Sequence, residues 1–192
     1  MKNAILKLLL LFIPFSLCPQ NQEEGCGFLF DRYPPVYYPS AVHWLIAVSG
    51  IGDSVELEDG SVWKINSHDG YKAVQWLSSD PLTITQNHRW FSRYSYRIVN
   101  QNTGSSLEAN LYLGPIRNGE HTRYIEAIDL AQGALLLSDR THWEVSYLDL
   151  AEFRNWAHGD AVIIGINSGW DSHSESLLIN VNMNNFIRVK QF

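Results

Sequence analysis

Three residue types in this chain could form a chemical site: aspartate, tryptophan and histidine. Asp59, Asp69 and Asp80 recur 80 residues later as Asp139, Asp149 and Asp160. Equivalent carboxylates from two halves of a chain can share one proton and act as a general acid and base, as in two-lobed aspartic proteases. That chemistry sits on an Asp-Thr/Ser-Gly loop, which occurs nowhere in this sequence. An aspartate at a turn between strands bonds its own backbone, so we expect these six residues to be structural. Trp63, Trp76 and Trp90 recur in the same way as Trp143, Trp156 and Trp170. Trp63 and Trp143 fall within strand-like runs and are expected to fill a core, because one indole buries a large area. Trp76 and Trp156 open a Trp-x-x-x-Asp segment and are expected to close the end of a barrel. Trp90 and Trp170 lie in polar, loop-like sequence and are the expected binding surface, with rings suited to stacking on a sugar or partner.

The seven histidines, at 43, 68, 88, 121, 142, 158 and 173, show no metal-ligand spacing. Asp171 to Glu175 lacks the length and glycine of a calcium loop. There is no Gly-x-Ser-x-Gly and no phosphate-cradling glycine loop. No catalytic residue, metal ligand or cofactor is therefore assigned. The competing reading is a hydrolase with a His/Asp site between the repeats, built from His158, Asp160 or His173.

Charge bears on the partner. The 192 residues carry 14 Lys and Arg against 20 Asp and Glu, a net charge of −6. Nucleic-acid binders show the opposite balance, so nucleic acid is not expected as a partner. Residues 1–18 have a basic start, then an apolar run from Leu8 to Leu17, then Cys18 and Pro19. This is the pattern of an export signal, and the run is too short to span a bilayer. Cys18 is placed for lipid attachment after a bacterial signal, although Leu17 is larger than the usual preceding residue. A membrane is expected as partner only through that anchor. Cys26 is the only other cysteine, which rules out a disulfide-stapled scaffold.

The elements that must position these side chains follow from the repeat. Residues 41–112 align on 121–192 without a gap, with 13 identities in 72 positions. Each copy reads as five or six short strands with turn signals between them and one possible helical turn, at Asp69–Trp76 and Asp149–Trp156. The alternation around Asp59-Gly60 marks a tight hairpin. Asp139-Arg140 lacks the glycine, so a longer hairpin is expected there. The fold class expected is all-β: two tandem copies of a small antiparallel barrel or sandwich after a signal peptide. The divisions are signal peptide 1–18, a Pro/Tyr-rich linker 19–40, repeat one 41–112, linker 113–120 and repeat two 121–192.

Leu57 to Ile65 with its Asp-Gly-Ser-Val-Trp run, Trp76 to Asp80, and Asn100 followed by Thr103-Gly104 together resemble small exported bacterial β-domain proteins. Their pattern is Asp-Gly-Ser-x-Trp, Trp-x-x-Gly-Asp and Asn-x-x-Thr-Gly. The second copy keeps Trp156-Ala-His-Gly-Asp160 and lacks the other two. The resemblance implies export and a β fold, and brings no activity. The function expected is a non-catalytic binding or structural module, periplasmic, envelope-associated or secreted. Its partner would be an envelope or extracellular protein or a glycan.

Overall fold

The computed structural model describes residues 41–169 and 173–192. The signal peptide, Cys18, Cys26, the 19–40 segment and Trp170 lie outside the described residues.

Apolar residues alternating or bunched in short runs form twelve strands. In the first half these are β1 (Val42–Val48), β2 (Ser54–Leu57), β3 (Val62–Ile65), β4 (Pro81–Gln86), β5 (Tyr96–Asn100) and β6 (Ser106–Leu113). One helical turn, α1 (Gly70–Ala73), lies between β3 and β4. The antiparallel pairings run β1-β2-β3-β6-β5-β4, and β4 returns to β1 to close a ring. The second half supplies β7 (Arg123–Asp129), β8 (Ala134–Leu137), β9 (His142–Val145), α2 (Leu150–Phe153), β10 (Ala161–Ile166), β11 (Ser176–Asn180) and β12 (Asn185–Gln191). Its pairings, β7-β8-β9-β12-β11-β10, close a second ring from β10 to β7. Closure leaves neither ring a free sheet edge. β6 runs on to Leu113, one residue into the segment read from sequence as a linker.

The two ladders share their irregularities. β1 bulges between Leu45 and Ala47, and β7 between Ile125 and Ala127. The expected longer hairpin at Asp139-Arg140 is not found. Leu137 N–H bonds Thr141 O at 3.0 Å, as Leu57 N–H bonds Ser61 O at 3.0 Å, so the two turns have equal length. Arg140 takes φ 69° where Gly60 takes φ 79°. The Asp139 carboxylate, bonded by the N–H and hydroxyl of Thr141, holds the turn despite the cost of a side chain in the left-handed region.

Trp63 and Trp143 are fully buried, each at the centre of one core. The rings meet where β4 runs parallel to β10, with Thr85 opposite Ile166. β10 and β11 are buried on both faces at this seam. Val162 and Ile164 point into their own core, while Ile163 and Ile179 join the core of the first ring. Gly165 permits the approach, since a Cβ there would lie 2.6 Å from the Ile84 carbonyl oxygen. Among the described residues no helix is long and apolar enough to cross a membrane.

Candidate functional site

Because β4 and β10 are parallel, the segments that follow them leave the seam at the same end. One is the loop 87–95; the other begins at Asn167. They are joined through Gln86, the last residue of β4, and the two residues that follow β10. Gln86 Nε2 donates to Asn167 Oδ1 at 2.6 Å, and the Ser168 N–H donates to Gln86 Oε1 at 3.0 Å. His88 Nε2 and Ser168 Oγ are 3.1 Å apart.

The loop 87–95 is held from beneath by Glu108, a buried residue of β6. Its carboxylate accepts from Asn66 Nδ2 at 2.8 Å, Asn87 Nδ2 at 3.2 Å and Ser92 Oγ at 3.2 Å, and pairs with Arg89 at 3.3 Å. Burial alone would raise the Glu108 pKa, but these donors and the Arg89 charge outweigh it and hold the group below the ordinary carboxylate value. Asn87 Nδ2 also reaches Tyr94 O at 2.9 Å and closes the neck of the loop. On this framed loop Trp90 is 91% exposed and its neighbour Phe91 is 96% exposed.

Below the loop a cleft of about 690 Å³ opens between the rings. His88, Asn87 and Tyr96 line it from the first ring, and Asn184, Phe186 and Arg188 from the second. Arg188 is engaged by Asp149 in a two-pronged pair, Nε to Oδ2 at 2.8 Å and one terminal nitrogen to Oδ1 at 2.6 Å. Tyr96 stacks edge-on against Trp63 and Phe186, with ring centroids 5.4 and 6.0 Å away.

The repeated aspartates hold backbone. Asp59 Oδ1 accepts the Ser61 N–H at 2.8 Å. Asp69 and Asp149 accept the N–H of Glu108 and Arg188, at 2.9 and 2.7 Å. Asp80 accepts from Leu77 N–H, Asn100 Nδ2 and Asn102 Nδ2, which outweigh its burial and lower its pKa. Asp160 accepts from Ala157 N–H at 2.9 Å and Asn180 Nδ2 at 2.8 Å. The buried indoles also have partners: Trp63 to Ser61, Trp143 to Thr141, Trp76 to Ser105 and Trp156 to Asn185.

His158 and His173 are not brought together. His158 precedes β10 and His173 follows it, a strand of about 20 Å at the usual rise per residue. His158 is exposed, and His173 borders a depression of about 460 Å³ on the second ring beside Glu144 and Lys190. Among the described residues no group of three or more His, Cys, Asp or Glu could hold a metal ion.

One His–carboxylate pair has no local signature in the sequence, because its members lie in different elements. His43 is buried in β1, with Nδ1 2.9 Å from Glu58 Oε1 and Nε2 2.8 Å from the Ile164 carbonyl oxygen of the second ring. Both partners are acceptors, so both ring nitrogens must carry hydrogen and the imidazole is a cation. Burial would lower its pKa, but the hydrogen bond and charge of Glu58 raise it overall. This pair fastens the seam and lines neither cleft. Phe91, Tyr96 and Glu108 also escaped the sequence reading. For Phe91 alone a local signal existed, its place beside Trp90.

Comparison with known protein families, curated proteins and solved structures finds no match to this chain.

Proposed function

We propose that the protein is an exported, non-catalytic binding module built from a duplicated β-domain, and that it binds through the end bearing the loop 87–95. The observation that carries this reading is the pairing of Trp90 and Phe91, almost wholly exposed, on a loop fixed by a buried carboxylate. Exposed large apolar side chains weaken solubility unless a partner covers them. A loop already ordered loses little further entropy on binding, so contacts made there convert efficiently to affinity. Export, with or without lipid on Cys18, puts the partner in the cell envelope or outside the cell.

The test uses the mature chain and isolated cell envelopes in a sedimentation assay. The wild type is expected to sediment with the envelopes. The double variant Trp90→Ala/Phe91→Ala is expected to stay in the supernatant while keeping the wild-type Tm. Equal sedimentation of the two proteins would contradict the assignment.

A further inference from the structure

The cleft beneath this loop contains polar groups that the fold does not use. Tyr96 is 2% exposed, yet its hydroxyl has no hydrogen-bond partner among the described residues, and burial alone pushes its pKa above the usual phenol range. A hydroxyl carried on a buried ring, bordering a cleft and bonded to no described residue, marks a place for a ligand. The Asn184 amide likewise bonds no described residue. Among the described residues His88 is engaged through Nε2 alone, and Nδ1 can donate or accept. These three residues line the cleft together with Phe186, whose ring meets that of Tyr96 edge-on.

The charges select among ligands. Among the described residues the one cation in the cleft wall besides histidine is Arg188, and Asp149 pairs with its guanidinium. Glu152 adds a carboxylate to the same wall. An anionic ligand would meet this carboxylate without a free cation to offset it. Neutral hydroxyls that both donate and accept suit a phenol, an amide and an imidazole, and the C–H faces of a sugar suit aromatic rings. A cleft of about 690 Å³ lies in the range of small-ligand sites and has room for about two or three sugar rings.

The geometry points to a saccharide site: the cleft between the rings takes a neutral oligosaccharide, with the Tyr96 hydroxyl, Asn184 and His88 bonding its hydroxyl groups and Trp90 on the loop above. This rests on the binding reading given above and supplies its ligand class.

Calorimetric titration of the mature protein with maltotriose, cellotriose and chitotriose, and with trigalacturonic acid as the anionic control, tests it. At least one neutral trisaccharide is expected to bind, with the acid binding more weakly. Tyr96→Phe keeps the ring, so it is expected to weaken binding about five- to tenfold, the loss of one hydrogen bond, with Tm unchanged or higher. Asn184→Gly removes the amide and suits the positive φ of that exposed position, so it is expected to weaken binding without lowering Tm. Three results would each overturn the assignment: no binding by any neutral trisaccharide, preference for the acid, or wild-type affinity in Tyr96→Phe. If the trisaccharides fail while envelope sedimentation still depends on Trp90 and Phe91, the sugar assignment falls and the surface stands. If both fail, the surface falls too.

Discussion

Three backbone positions in the left-handed region recur in both halves of the chain, with glycine in only one of each pair. Gly60 faces Arg140, Gly159 faces Ser79, and Gly104 faces Asn184, all at positive φ. The turn demands the conformation, and hydrogen bonds around it carry the residue that is not glycine. A side chain there costs roughly 1–2 kcal/mol, and glycine returns part of that gain through the entropy of the unfolded chain. Ser79→Gly is therefore expected to stabilise the protein by about 0.5–1 kcal/mol in chemical denaturation; a loss of stability would contradict the strain. His43 sets a pH dependence. Its folded pKa is raised from 6.5, so its contribution is full below the unfolded value and is lost as pH rises through the folded one. Glu58 is lowered from 4.5, since its bond to His43 outweighs burial, and its contribution is lost as pH falls through the folded value. The pair thus stabilises most between 4.5 and 6.5. Tm measured against pH is expected to decline above that window in the wild type, and His43→Gln is expected to remove that decline. An alkaline limb of equal size in the variant would contradict the assignment.

At the scale of elements, much was legible in sequence. Short runs such as Val55 to Leu57 and Leu82 to Thr85 alternate or bunch apolar residues between turn signals, and they form strands where the pattern put them. Asp69 to Trp76 and Asp149 to Trp156 each hold one helical turn. Propensity at Arg140 alone argues for a longer second hairpin, whereas the register of β8 and β9 and the Asp139 carboxylate determine the turn. The candidate site was hidden for a related reason. Glu108 lies 16 residues from Ser92 and 42 from Asn66, and only the pairing of β6 with both β3 and β5 brings these side chains together. Its role has a direct consequence. Glu108→Ala is expected to remove the anchor of Asn87, Arg89 and Ser92 and cost about 1–3 kcal/mol. Hydrogen exchange is expected to accelerate in residues 88–94 while the strands of the second ring keep their protection. Unchanged exchange in the loop would mean that Glu108 does not hold it.

The molecule as a whole joins two closed rings along one line of contact, and the parallel run of β4 and β10 brings the two following loops to a common end. Periodicity could identify β10 and β11 as strands, but not that β11 would be buried on both faces, since that depends on the first ring packing against Ile179. The cleft arises from the same contact and has no counterpart in either half of the sequence alone. Hydroxyl-radical footprinting of the mature protein, free and mixed with isolated cell envelopes, tests the binding end most directly. Trp90 and Phe91 are expected to lose reactivity on mixing. Ile51 and Leu77, exposed at 79% and 71% beyond the opposite end of β4, are expected to keep theirs. Undiminished labelling of Trp90 and Phe91, or equal protection at Ile51 and Leu77, would contradict the assignment of this end as the binding surface.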